Sequence, residues 1–113
     1  MIPAFAPTLL LAEIAAVISR TRRDSIRARV VAMSLRELSY LTLLPIDDLL
    51  AQQAAELAAD YRLRGADATF LAVAQQTGTA LVTLDVELRT RAASRNTTYT
   101  PEEALAVLRR VST

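Results

Sequence analysis

Apolar positions along the chain fall into four short runs of strand character, separated by longer stretches of helical period. The first run covers Ile2 to Ala6 and stops at Pro7; Thr8 then stands where it can cap a helix from Leu9 to about Arg20. Asp24 or Ser25 opens a second helix through Leu38, in which Ile26, Val30, Met33 and Leu38 recur at roughly helical spacing. Leu41 to Leu44 reads as the second strand, closed by Pro45. Asp47 caps a long helix whose Leu50, Ala54, Leu57 and Tyr61 share a face, and Gly65 sits where a left-handed C-terminal residue is wanted. The next helix begins at Asp67, buries Phe70, Leu71, Val73 and Ala74, and ends near Gly78. Ala80 to Leu84 is the third strand and runs into Asp85 and a short helix from Val86 to Ala93. Thr97 to Tyr99 is the fourth, followed by Thr100-Pro101-Glu102-Glu103, a full capping box that starts a helix reaching Val111.

Strands that alternate with helices pair in parallel through crossovers, so the expected fold is a three-layer α/β/α domain with a mainly parallel sheet of about four strands. No repeat, low-complexity segment or linker interrupts residues 1–113, which read as a single domain. Hydrophobic residues make up 52% of the chain and aromatics only 4%, so the core is to be built from Leu, Ala, Val and Ile. Thirteen basic against twelve acidic residues leave a net charge of +1, too little for global steering of a nucleic acid; any such affinity must come from local clustering. The N-terminus has no basic leader, and Glu13 interrupts its apolar stretch, so neither a signal peptide nor a membrane span is expected and the cytoplasm is the default compartment.

Four residue types are missing altogether: His, Cys, Trp and Lys, all thirteen basic residues being Arg. Their absence removes Ser-His-Asp triads, thiolate nucleophiles, disulfides, zinc sites of nitrogen and sulfur ligands, Schiff bases and the P-loop lysine. The two glycines, Gly65 and Gly78, are too far apart for a phosphate-binding glycine loop. Carboxylates, hydroxyls and arginines remain as the available chemistry.

Three acids stand in apolar surroundings. Glu13 is the one polar residue between Leu9 and Ile18, where a carboxylate is expensive to bury unless compensated; pairing with an arginine of the Arg20–Arg23 stretch, exposure to solvent, or a place in a cleft all remain open to it. Asp67 and Asp85 both stand at helix starts, where Asp is favoured as a cap or first-turn anion. Asp85 also follows a strand end, the edge of an open parallel sheet at which ligands bind. A strand-end Asp and two helix-start acids can converge on one crevice. With no His or Lys to act as base, their main chemical use is to hold a hard divalent cation that activates water and neutralises a phosphate.

The segments Ala6-Pro7-Thr8-Leu9-Leu10-Leu11-Ala12-Glu13-Ile14-Ala15, Tyr61-Arg62-Leu63-Arg64-Gly65-Ala66-Asp67-Ala68 and Leu81-Val82-Thr83-Leu84-Asp85 resemble three successive signatures of the PIN domain, particularly the VapC-type toxin ribonucleases of prokaryotic toxin-antitoxin pairs. The resemblance implies that Glu13, Asp67 and Asp85 are catalytic and metal-binding acids around Mg2+ or Mn2+. It implies an endoribonuclease acting on structured RNA, commonly a homodimer, silenced by a cognate antitoxin that occupies the acidic cleft. It also implies a preceding central strand ending in a first catalytic Asp, between the strands matching Ile2–Ala6 and Ala80–Leu84. No such strand precedes Pro7 here, so the expected form is an N-terminally truncated PIN-like domain with weak or no nuclease activity. The alternative is a catalytically degenerate PIN domain that serves as a dimerisation or antitoxin-binding module. A receiver-type phosphoacceptor domain fits less well because that mechanism relies on a lysine.

Arg20, Arg22, Arg23, Arg27 and Arg29 place five positive charges within ten residues. Such a cluster can track a phosphate backbone, or it can be a solvated helix junction whose arginines pair with Asp24 and neighbouring acids. No aromatic residues are interleaved to stack bases there.

Overall fold

Strand β1 (Ala4–Pro7) lies parallel to β2 (Leu41–Leu44), in register from Ala4↔Leu41 to Pro7↔Leu44, in a computed structural model that describes residues 3–112. Ile2, expected to open the first strand, lies outside the described residues. Pro7 ends the strand from within instead of stopping it from outside. The backbone N–H groups of Ala4 and Thr8 donate to the Tyr40 and Leu44 carbonyls at 2.8 and 2.9 Å, so the even positions face β2 and the N–H that Pro7 lacks falls on the other side.

Helices α1 (Leu9–Arg22) and α2 (Ser25–Leu35) form the crossover between these strands and pack against each other. Thr8 does not cap α1 with its side chain, contrary to expectation. It is itself helical, at φ −56°, with its N–H bonded to Leu44 and its carbonyl accepting the Leu11 N–H at 3.1 Å. Arg23, left-handed at φ 50°, turns the chain, and Asp24 caps α2 by accepting the Arg27 N–H at 2.9 Å. Beyond Leu35 the N–H groups of Arg36, Glu37 and Leu38 bond three residues back, which ends α2 short of Leu38. The expected apolar face of α2 is not the buried one. Ala28 and Ala32 are inside, whereas Ile26, Val30 and Met33 are 71%, 63% and 53% exposed, because the small alanine stripe is where a neighbouring backbone can approach closely.

The described residues divide into two compact units, one up to Asp48 and one from Leu49. In the second, α3 (Asp48–Tyr61) buries Leu50, Ala54 and Leu57 along one face, as its period predicts. α4 (Gly65–Thr77) buries Ala68, Thr69, Leu71, Ala72, Val73 and Ala74, which occupy nearly the whole circumference of a helix. Leu71 and Leu50 are almost wholly enclosed, a burial worth about 2 kcal/mol each. The Thr69 hydroxyl donates to the Gly65 carbonyl at 2.7 Å, and among the described residues no buried side-chain polar atom lacks a partner.

Gly65 opens α4 instead of closing α3. The left-handed residue after α3 is Arg62, at φ 54°, and the space around the Gly65 Cβ position is open. Gly78 closes α4 at φ 66°, a conformation that favours glycine, while the Thr79 N–H reaches back to the Ala74 carbonyl at 2.9 Å.

β3 (Leu81–Val82) and β4 (Thr98–Tyr99) pair in parallel, Leu81↔Thr98 and Val82↔Tyr99, with α5 (Val86–Ala92) between them. β3 is shorter than the apolar run suggests because β4 offers only two residues; bonds from the Leu81 and Thr83 N–H groups to Thr97 and Tyr99 bracket the ladder. The fold is thus mixed α/β, with four strands in two parallel pairs, and each strand has one hydrogen-bonded neighbour among the described residues. Among those residues no helix is long and apolar enough to cross a membrane.

α6 (Pro101–Ser112) begins with the expected capping box. The Glu103 N–H donates to Thr100 Oγ1 at 3.1 Å, and the Thr100 N–H donates to Glu103 Oε1 at 2.9 Å. The Thr100 backbone and side chain, with a smaller contribution from Arg89, hold the Glu103 carboxyl below the usual glutamate range against a slight opposing effect of burial. A carboxyl lowered in the folded state stabilises above its unfolded pKa of about 4.3, and that contribution is lost as pH falls through the lowered value. In an NMR pH titration the Glu103 midpoint is therefore expected below the usual glutamate range, with the α6 N-terminus weakened as pH falls through it. A midpoint within the usual glutamate range would contradict this.

Candidate active site

The approach to Asp67 is set by the turn between α3 and α4. After Tyr61, Arg62 takes its left-handed conformation, Leu63 donates to the Ala58 carbonyl at 3.2 Å, and Arg64, extended at φ −65°, ψ 152°, precedes the first turn of α4. Asp67 is the third helical residue, not the cap. A carboxylate there sits among the free N–H groups of a helix start, where negative charge is favoured.

Asp85 reaches the same place from the other direction. The chain leaves β3, the Asp85 N–H donates to Thr83 Oγ1 at 3.0 Å, and Asp85 Oδ1 accepts the Leu88 N–H at 3.0 Å as the N-cap of α5. Its local role as a cap and its position after a strand end therefore coexist. Both aspartates line one cleft of about 150 Å3, together with Arg62, Leu63, Arg64, Glu87, Leu88 and Arg91.

Arg91 ties this wall together. Its guanidinium pairs with Glu87 one turn earlier on α5 and donates to the Arg62 carbonyl, joining the helix to the left-handed turn. The cleft thus presents three carboxylates, Asp67, Asp85 and Glu87, beside three guanidinium groups, Arg62, Arg64 and Arg91. Sequence reasoning left out Arg62, Arg64, Glu87 and Arg91 as site residues. The i, i+4 spacing of Glu87 and Arg91 was a signal for their pairing, but nothing local placed that pair against Arg62.

Glu13 lies exposed on α1, in the unit up to Asp48, so its apolar sequence neighbours impose no burial cost on it. Among the described residues no group of three or more His, Cys, Asp and Glu side chains is arranged to hold a metal ion. Two hard-oxygen carboxylates on one cleft nevertheless suit Mg2+ or Mn2+, since magnesium keeps several waters and needs only one or two protein ligands.

Arg20, Arg22, Arg23 and Arg27 are exposed at the α1–α2 junction, as is Arg29. Asp24 directs its carboxylate to a backbone N–H, and Arg20 Nε donates to the Ala16 carbonyl at 3.2 Å. Asp24, one of the acids with which this cluster could pair, thus serves as the backbone cap of α2.

A family model described as PIN domain matches residues 2–93 of the chain. No curated protein and no solved structure matches it significantly.

The cap geometry separates the two roles of Asp85. Asn caps a helix about as well as Asp, whereas Ala loses the bond. Asp85→Asn is expected to leave the urea midpoint nearly unchanged, and Asp85→Ala to lower stability by about 1 kcal/mol. A large loss in Asp85→Asn would show that the charge, not the cap, holds this turn together.

Proposed function

We propose, since this chain belongs to the PIN domain family, that it hydrolyses RNA phosphodiester bonds with the help of a divalent metal ion, as an endoribonuclease of the VapC toxin type. The observation that carries this reading is the meeting of Asp67 and Asp85 on one arginine-lined cleft, although eighteen positions separate them in the sequence. Asp67 and Asp85 would hold Mg2+ or Mn2+, and the ion, when bound, supplies water activation in a chain that has no His, Cys or Lys to do so. Arg62 and Arg64 offer positive charge to the phosphate oxygens. Arg91 holds the Arg62 backbone in place, and the Leu88 N–H fixes the orientation of Asp85. Glu13 is assigned as a further acid of the metal site by family likeness.

Arg20, Arg22, Arg23 and Arg27 serve this reading as a secondary phosphate track, each contact adding salt-dependent affinity. A cognate antitoxin and a second copy of the chain are the protein partners that go with it.

The second reading, a PIN module that binds a partner without catalysis, draws on two observations. No group of three metal-holding side chains occurs among the described residues, and α2 leaves Ile26, Val30 and Met33 in solvent.

Cleavage of a structured RNA with Mn2+ or Mg2+ decides between them. Activity is expected to be weak, since no group of three metal-holding side chains occurs among the described residues, to vanish with a chelator, and to fall to background in Asp67→Asn and Asp85→Asn. No cleavage, combined with no Mn2+ binding by calorimetry, would leave only the partner-binding module. In RNA-binding titrations, Arg22→Ala and Arg27→Ala are each expected to reduce the slope of log K against log salt by about one. Unchanged slopes would remove that junction from the RNA track.

A further inference from the structure

A second cleft, of about 240 Å3, opens in the unit from Leu49 onward and takes no part in the hydrolysis described above. Its polar lining is Gln53, Glu56 and Asp60 from α3, Tyr61 at the end of that helix, Gln75 from the last turn of α4, and Arg95 beyond α5.

Three features of this lining constrain what it can receive. The first is planarity. The Arg95 guanidinium carbon lies 5.6 Å from the centroid of the Tyr61 ring, and Arg95 Nε donates to the Tyr61 hydroxyl, so two flat groups are locked together at one wall. Aromatic rings and arginine planes are the surfaces on which unstacked bases lie.

The second is the amide pair. Gln53 Nε2 donates to Gln75 Oε1 at 3.4 Å, which directs the Gln53 carbonyl oxygen and the Gln75 NH2 group to other partners. The Gln53 acceptor and the Gln75 donor are the two kinds of group that meet the amino group and ring nitrogen of a purine edge when glutamine reads adenine. The third is charge. Glu56 and Asp60, one turn apart and both exposed, accept hydrogen bonds and offer none when ionised, so they repel phosphate and favour an amino-bearing base.

We infer that this cleft is a binding site for a single purine base. Its placement deepens the ribonuclease reading and rests on it for the source of that base. Tyr61 is followed in the chain by Arg62, and Arg95 lies one turn beyond Arg91; Arg62 and Arg91 both line the Asp67–Asp85 cleft. Along α4, Asp67 and Gln75 are separated by about 12 Å of helix. A base flanking the phosphate to be cut can therefore occupy the second cleft, which makes Gln53 and Gln75 specificity determinants and not catalytic residues.

The test uses the full chain in the presence of a chelator, so that no strand is cut. Fluorescence anisotropy compares a short all-uridine RNA with the same strand carrying one central adenosine or guanosine. In parallel, free adenosine and guanosine are titrated while the side-chain amide NMR signals of Gln53 and Gln75 are followed. The purine strand is expected to bind about tenfold more tightly. Gln53→Ala and Gln75→Ala, both at half-buried positions, are expected to abolish that preference while leaving the affinity for the all-uridine strand unchanged. The free nucleosides are expected to shift both amides. Equal affinity of the unaltered protein for the two strands, with amides that do not respond to nucleosides, overturns the inference. A response to an arginine-bearing peptide alone overturns it in favour of a cationic partner. Amide shifts with nucleosides, but neither binding nor cleavage of either RNA when Mg2+ replaces the chelator, uphold the purine site and overturn the ribonuclease reading on which its RNA source rests.

Discussion

Helix α4 is enclosed along most of its circumference, from Ala68 through Leu71, Ala72, Val73 and Ala74, and the rest of its unit has to conform to that burial. A helix so packed cannot slide or rotate without opening cavities, and a lost leucine-sized contact in such a place costs several kcal/mol. Its ends are fixed as a consequence. The first turn delivers Asp67 to the cleft it shares with Asp85, and the last delivers Gln75 to the other cleft before Gly78 reverses the chain. Sites built on rigid elements hold their geometry better than sites on loops, and here two polar clefts are spaced by one buried rod.

The chemistry available at that rod follows from what the chain lacks. Three carboxylates and three guanidinium groups line the Asp67–Asp85 cleft, and the sequence has no imidazole, thiol or lysine side chain to move a proton. Such a lining is balanced in charge. A lone phosphate meets Asp67 and Asp85, and a lone cation meets Arg62 and Arg64, so the proposed reading has cation and phosphodiester favour each other's presence. The Glu87–Arg91 pair contributes little by itself, since exposed ion pairs are worth less than about 1 kcal/mol. Its weight lies in joining α5 to the Arg62 carbonyl.

Features closed by nearby hydrogen bonds were legible in the sequence. The Thr100–Glu103 box, the Asp24 and Asp85 caps, Gly78 and the Leu50–Ala54–Leu57 face all appear where residue type and spacing put them. The parallel sense of the strand pairing also follows from the alternation of strands and helices, although the strands form two separate pairs among the described residues instead of one sheet of about four. What failed depended on partners distant in sequence. Period alone could not tell which face of α2 is covered, because Ile26, Val30 and Met33 carry the stronger apolar signal while the alanines carry the contact. Thr8 resembles a cap, yet its backbone is already engaged by β2. Arg62, Arg64 and Arg91 were invisible as site residues because an arginine gains its meaning from what it is folded against.

Arg62 concentrates these constraints. A left-handed residue with a side chain costs roughly 1–2 kcal/mol relative to the right-handed region, and Gly65, which would relieve that strain if it stood at the turn, is placed three residues later. Moving the glycine to the turn would remove the penalty and also a guanidinium from the Asp67–Asp85 cleft. It would further loosen the carbonyl that receives Arg91. Strain of this kind persists where the surrounding structure over-determines it, and such places cluster at functional sites. Tyr61 on one side of the strained peptide lines the Gln53–Gln75 cleft, and Arg62 on the other lines the aspartate cleft. The turn thus sets the spacing between the two, and a relaxed turn would change that spacing even with every other lining residue kept.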